Sequence, residues 1–355
     1  MIKLLTDAAK TSRDLFKIMI PVTIAVKILT DAGLIGHLGA ALEPLMRLVG
    51  LPGSSALAWA TAMGTNIYGG LLVFLSAAQQ DPPTAAQTTI FTTMVLIAHT
   101  LPLEVAICRK AGARSLPIIA IRVLGAFAVG IILNQTYQFG GWLQEPSVSL
   151  FNPQPPPPGL SAWAINEIAT LLKIFVIIML LLLLMRILHR IGAIKLLNRL
   201  LLPLMRFLGI GPQAAPLTII GMTLGISYGG GLIIQESKSG RIGKRDVFLT
   251  LALLSLAHSL IEDTTVMALA GGRYSGLLVA RLAFALPAIA ILAKLLKLVP
   301  DSAFDRFFFA PPVIAGEPPA PDAAIVHHTP TAPAEPAEPV AADAAAEADA
   351  AAGTV

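Results

Sequence analysis

Titratable side chains inside apolar stretches are the first candidates for chemistry, because holding them in hydrocarbon is expensive. His99 and Glu104 stand in the apolar stretch 86–108, and His258, Glu262 and Asp263 stand in 246–270. Glu104 and Asp263 are separated by 159 positions, as are His99 and His258, so a His–acid set recurs at one spacing. His258 and Glu262, four apart, would share a helix face. Such a cluster can carry protons, hold a divalent cation or hydrogen-bond a polar ligand. The competing structural reading has these groups joining helix to helix, with His99 capping a kink before Pro102 and Glu262 pairing with Arg273. Asn66, Tyr68, Ser227, Tyr228 and Gln235 add polar groups that could face the same space, whereas Glu236, beside a basic loop, reads as a salt-bridge partner.

The composition says what surrounds these groups. Of 355 residues, 55% are hydrophobic and 13% charged, with a mean hydropathy of +0.75. Soluble domains carry about 25% charged residues, so the chain cannot coat itself for water and reads as a polytopic membrane protein. A single cysteine, Cys108, excludes an intramolecular disulfide framework and multi-cysteine metal sites. The net charge of +4 conceals an acidic tail: seven acids lie between Glu317 and Asp349, and no lysine or arginine follows Arg306. The remainder has 25 basic against 14 acidic residues, which suits helix ends facing anionic lipid. No basic patch interleaved with aromatics points to nucleic acid. His-Glu-x-x-His, Gly-x-Ser-x-Gly and a phosphate loop are all absent, so the chain does not read as an enzyme, and no cofactor is implied.

Apolar stretches at about 18–29, 53–78, 86–108, 115–134, 162–188, 213–236, 246–270 and 275–299 approach the ~20 residues that cross a bilayer. The first follows basic residues but no small-residue cleavage pattern succeeds it, so it reads as a crossing rather than a signal peptide. An internal repeat organises the rest. Pro44-Leu45-Met46-Arg47 matches Pro203-Leu204-Met205-Arg206; Tyr68-Gly69-Gly70 matches Tyr228-Gly229-Gly230; Ala98-His99-Thr100-Leu101 matches Ala257-His258-Ser259-Leu260. Gly112, Arg114 and Arg122 match Gly271, Arg273 and Arg281. The chain therefore divides into a first repeat (1–136), a Pro-rich extracytoplasmic linker (137–160), a second repeat (161–300) and a disordered acidic Ala/Pro-rich tail (301–355).

Basic residues orient membrane proteins, since they concentrate on the cytoplasmic side. If 53–78 and 213–236 cross fully, one of the clusters Arg109/Lys110/Arg114, Arg186–Arg206 or Lys238–Arg245 falls outside. If each instead enters and leaves on one face, all three lie inside. Both stretches break at glycines, Gly64-Thr65-Asn66-Ile67-Tyr68-Gly69-Gly70 and Gly225-Ile226-Ser227-Tyr228-Gly229-Gly230-Gly231. The expected fold is thus an all-α polytopic membrane protein with two inverted repeats. Each has about three crossings, an amphipathic helix (37–49 or 193–208) and a Gly-broken re-entrant hairpin, with both chain ends cytoplasmic.

These paired segments resemble the gate, or nucleoside-recognition, domain of concentrative nucleoside transporters, ferrous-iron transporters and spore-maturation membrane proteins. The carrying residues run from Pro44-Leu45-Met46-Arg47 to Tyr68-Gly69-Gly70 and from Pro203-Leu204-Met205-Arg206 to Gly229-Gly230. The resemblance implies a bacterial inner-membrane protein, with the bilayer and a small polar solute or ion as its partners and a homo-oligomer as an option. It reads as a secondary transporter of a nucleoside-like solute working by alternating access. A non-transporting scaffold and a divalent-metal transporter are the alternatives. The Gln-Thr-Glu cluster of nucleoside carriers has no counterpart in the first hairpin, and no GTPase domain accompanies the repeats.

Overall fold

The computed structural model describes residues 12–310 apart from 14–15, 18–19, 26, 29–30, 33, 80 and 152–158. The first expected crossing falls partly outside these residues, and the tail from 311 wholly so. The described chain is all-helical, with two isolated bridges, Thr84–Pro146 and Ala113–Phe309. Five helical stretches are long and apolar enough to cross a membrane: Ala85–Lys110, Ser115–Gly140, Leu160–Leu180, Lys244–Leu269 and Ser275–Leu298. The protein is a multi-pass membrane protein.

The first half runs α1 (Leu34–Arg47), α2 (Ser54–Gly64), α3 (Ile67–Ala78), α4 (Ala85–Ile97), α5 (Leu101–Lys110) and α6 (Ser115–Gly140). After α7 (Leu160–Arg190), the same order returns as α8 (Ala193–Phe207), α9 (Ala215–Leu224), α10 (Ile226–Lys238), α11 (Lys244–Ala257) and α12 (Glu262–Leu269). A π-helical turn, Ser275–Ala280, leads into α13 (Arg281–Leu298), and α14 (Asp301–Phe307) follows. Backbone angles repeat with the order. Gly50 and Gly209 have φ of 72° and 74°, and Gly112 and Gly271 have 103° and 104°. Each glycine sits at a left-handed turn that a side chain rarely adopts.

The hairpins are tied to the helices that follow them by equivalent residues. Gln87, third residue of α4, donates its side-chain amide to the Gly50 carbonyl (3.2 Å). Asp246, third residue of α11, accepts from the Gly211 amide (3.2 Å). Within the first hairpin α2 and α3 meet through small residues, which let backbones approach. A Cβ on Gly70 would lie 2.4 Å from the Ala62 Cβ and 2.9 Å from the Ala58 carbonyl oxygen. Gly70→Val is expected to cost about 1–3 kcal/mol, as overpacking does; a thermal melt of the purified variant no lower than wild type would refute this contact.

Two ends of the bundle are chemically distinct. At one, Ser237 donates to the Ala111 carbonyl (2.7 Å), Arg114 to the Asp305 carbonyl, Lys244 pairs with Asp305 (2.8 Å), and Arg245 pairs with Asp301 (3.0 Å). Arg245 and Lys244 hold the Asp301 carboxyl below its ordinary range. Glu236 pairs with Arg241 (2.6 Å), as the sequence suggested. At the other end, Ala85 donates to the Glu145 carbonyl (2.9 Å), Leu150 to the Leu269 carbonyl (2.9 Å), and Arg273 reaches Glu145 (3.4 Å). Arg273 is therefore paired with Glu145, not with Glu262.

Two boundaries differ from the sequence reading. Residues 301–310 are structured: Phe304 is fully buried against Phe248 in an edge-to-face contact (5.9 Å), and this apolar anchor orders α14 despite the polar composition around it. The linker begins only after α6 ends at Gly140, and its first part folds back on α4 and α12 rather than standing extended. The amphipathic segments are helices in their own right. Gly192, with φ 75°, separates α8 from α7. In α1, Arg47 and the Gly53 amide hold the Glu43 carboxyl below its usual range.

Candidate functional site

Ala85–Lys110 and Lys244–Leu269, the most deeply buried of the long stretches, are each interrupted. α4 stops at Ile97 and α5 restarts at Leu101; α11 stops at Ala257 and α12 restarts at Glu262. His258 and Glu262 consequently lie on either side of a break and do not share one helix face. At each break the residue after the histidine is left-handed, Thr100 with φ 48° and Ser259 with φ 51°. A non-glycine residue there costs about 1–3 kcal/mol, and such residues cluster at functional sites.

Two buried arginines hold the breaks open. Arg122, from α6, donates to the carbonyls of Ile97 (3.0 Å) and His99 (2.9 Å). Arg281, first residue of α13, donates to those of Leu256 (2.8 Å), His258 (2.9 Å) and Leu96 (2.9 Å). The last carbonyls of a helix have no intrahelical partner, and a guanidinium both satisfies them and complements their negative end. The kink at His99 is thus capped by Arg122. Both arginines were visible in the sequence as a matched pair inside apolar stretches, a signal of function that the repeat alignment alone did not bring out.

The two halves converge at these breaks. Each histidine bonds a carbonyl one turn back through Nδ1, His99 to Val95 (2.8 Å) and His258 to Leu254 (2.7 Å). The Nε2 atoms then face each other at 3.4 Å. Glu104 Oε1 lies 3.3 Å from His99 Nε2 and 3.4 Å from His258 Nε2, while its other oxygen bonds Arg122. Asp263 Oδ2 is 3.7 Å from His99 Nε2. Glu104 sits in the first turn of α5, and Glu262 and Asp263 in the first turn of α12, where the helix dipole favours carboxylates.

A cavity of about 220 Å³ opens onto this cluster. Its wall includes His99, Glu104, His258, Glu262 and Asp263, with Asn66 and Tyr68 from the first hairpin and Leu224, Gly225 and Ile226 from the second. Asn66 caps α3 by accepting from the Gly69 amide (2.9 Å), and its buried side-chain nitrogen has no partner among the described residues. The structure therefore brings together seven of the ten sequence candidates. The side chains of Ser227 and Tyr228 lie outside the described ones. Gln235 is exposed on α10, away from the cavity, because it falls nearly three turns past the break at Gly225.

Residues 13–113 match the family model Gate, described as nucleoside recognition. The gate resemblance is thereby shown over the first half, from before α1 to the turn after α5. The chain is also 25% identical over 260 residues to "Uncharacterized membrane protein YvoD" of Bacillus subtilis (strain 168), covering 72% of this chain and 82% of that protein. No solved structure matches. The gate match includes Asn66, Tyr68, His99 and Glu104, the first half's share of the cavity.

Proposed function

We propose that this protein is a secondary transporter of a small polar solute or ion, working by alternating access around the His99/His258 cavity. The observation that carries the reading is that equivalent breaks from both halves meet at one cavity lined by buried titratable groups. Transporters of this architecture bind at the interface of inverted repeats, where discontinuous helices end. Equivalent ties support the inverted, re-entrant arrangement. The first hairpin starts beside Gln87, at the end carrying Glu145. The second starts beside Asp246 and finishes beside Ala111, at the end carrying the basic clusters. Grouping of Arg114, Lys244 and Arg245 at one end supports a cytoplasmic location for it, in an inner membrane. The cavity falls short of the ~300–1,000 Å³ of drug-sized pockets, which favours an ion or small solute over a nucleoside filling it.

Labelling tests the reading without knowledge of the solute. In a Cys108→Ala background, Leu103→Cys and Leu224→Cys place single thiols on the cavity wall. A membrane-impermeant maleimide is expected to modify each thiol from either face of oriented vesicles. Labelling from one face alone would reject alternating access and favour the scaffold.

A further inference from the structure

We propose that His99, His258 and Glu104 form a binding site for a divalent first-row transition-metal ion. This deepens the transport reading, on which the ion is the solute carried. The argument begins with hydrogen-bond roles. A backbone carbonyl only accepts, so Val95 and Leu254 require both histidines to donate from Nδ1. In the neutral rings the proton is then on Nδ1, and each Nε2 presents a lone pair. Two such lone pairs face one another at 3.4 Å, and the Glu104 oxygen adds a third acceptor at 3.3 and 3.4 Å. With both rings neutral and the carboxylate ionised, three acceptors converge without a donor, and a cation among them, a proton or a metal ion, relieves their repulsion.

The size of the triangle identifies the cation. Bonds of about 2.0–2.1 Å to nitrogen or oxygen, arranged tetrahedrally, place ligand atoms about 3.3–3.4 Å apart. The three edges have those lengths. Asp263 Oδ2 approaches His99 Nε2 to 3.7 Å but stands outside the group whose ligand atoms all lie within 4.8 Å of one another, so the triad supplies three ligands and leaves the fourth position open. Two imidazoles beside carboxylate suit zinc or ferrous iron, whereas magnesium and calcium take oxygen.

The surroundings are those of a metal site. Both Nδ1–carbonyl bonds fix the tautomer that frees Nε2, and Arg122 fixes Glu104 by its other oxygen, leaving Oε1 for the ion. The histidine and arginine caps repeat across the two halves, but Asp263, the counterpart of Glu104, is one methylene shorter. Arg281 Nη1, the counterpart of the Arg122 nitrogen that bonds Glu104, has no partner among the described residues. The shorter carboxylate is thus left to the cavity rather than locked to its arginine.

The test is equilibrium binding to the full-length, detergent-purified protein after removal of metal by chelation. Calorimetry with ZnCl2 is expected to give one ion per chain, MgCl2 none, and CoCl2 the intense visible bands of a tetrahedral site with nitrogen donors. His258→Gln is expected to weaken Zn2+ binding at least about a hundredfold, since loss of supporting groups alone costs 10–100-fold. His327→Ala/His328→Ala, in the tail outside the described residues, should leave binding unchanged. Folded wild-type protein that binds neither Zn2+ nor Co2+, a weak octahedral cobalt spectrum, or affinity that follows His327 and His328 would overturn the site. The cobalt spectrum reads the donors in the wild type, so a variant that fails to fold does not blunt the test. Binding with one-sided cysteine labelling would sink the carrier and leave the ion site; two-sided labelling without binding would do the reverse.

Discussion

Arg122→Met is expected to destabilise the protein by about 3–5 kcal/mol, the cost of leaving a buried charge without its partner. Arg122 and Glu104 are both buried and bonded to one another, and Arg122 also satisfies the carbonyls of Ile97 and His99. Methionine fills much of the volume, so lost packing contributes little. Glu104→Gln should cost less than Arg122→Met, because Arg122 keeps its two carbonyl acceptors. The double variant Arg122→Met/Glu104→Gln should recover part of the loss, since neither charge is then stranded. Chemical denaturation of the four proteins in detergent measures the cycle. Additive losses would mean that the pair does not act as a unit. Arg281→Met should be milder than Arg122→Met, because no carboxylate of the cluster is bonded to Arg281.

The histidine pair is expected to show the opposite pattern, with large loss of function and little loss of fold. His99→Ala/His258→Ala removes both Nε2 atoms and, with them, two of the three proposed ligand atoms. Uptake of labelled zinc into proteoliposomes should fall to the level of empty vesicles. Stability changes by the two Nδ1–carbonyl bonds, each worth about 1 kcal/mol. Membrane insertion and the gel-filtration profile should match wild type. Zinc uptake that persists in the double variant would remove the cavity from the transport path. Arg122→Met therefore tests what keeps the break in place, and the histidine variant tests what the break is for.

Legibility from sequence followed the range of the interaction. Composition alone fixed a multi-pass helical protein, because 13% charged residues cannot clothe 355 residues in water. The repeat was legible because identical side chains recur at identical local positions. The structure's paired φ angles at Gly50/Gly209 and Gly112/Gly271 follow from that same local chemistry. Helix breaks at Asn66 and Gly225 were announced by glycine clusters, and the pairing of Glu236 by the basic loop five residues on. Gln235 was misjudged because a stretch broken by glycine looks uniformly close to its break until helical rise is counted.

What tertiary structure decided lies across large separations. Periodicity described 246–270 as one helix with His258 and Glu262 on a face, yet the segment breaks at His258. The group that satisfies the broken end is Arg281, 23 residues on, and no local pattern records that debt-free exchange of a helix bond for a guanidinium bond. Nor did the sequence show that Phe304 anchors the start of the tail, since its partner Phe248 is remote in the chain. The sequence determined that two His–acid sets exist and that each is buried in an apolar stretch. Only the packing of one half on the other brought Nε2 to Nε2 at 3.4 Å and set Glu104 between them. The physical reason is that the contact spans 159 residues: its distance is set by the helices, arginine caps and left-handed turns that carry each histidine, not by the chain between them.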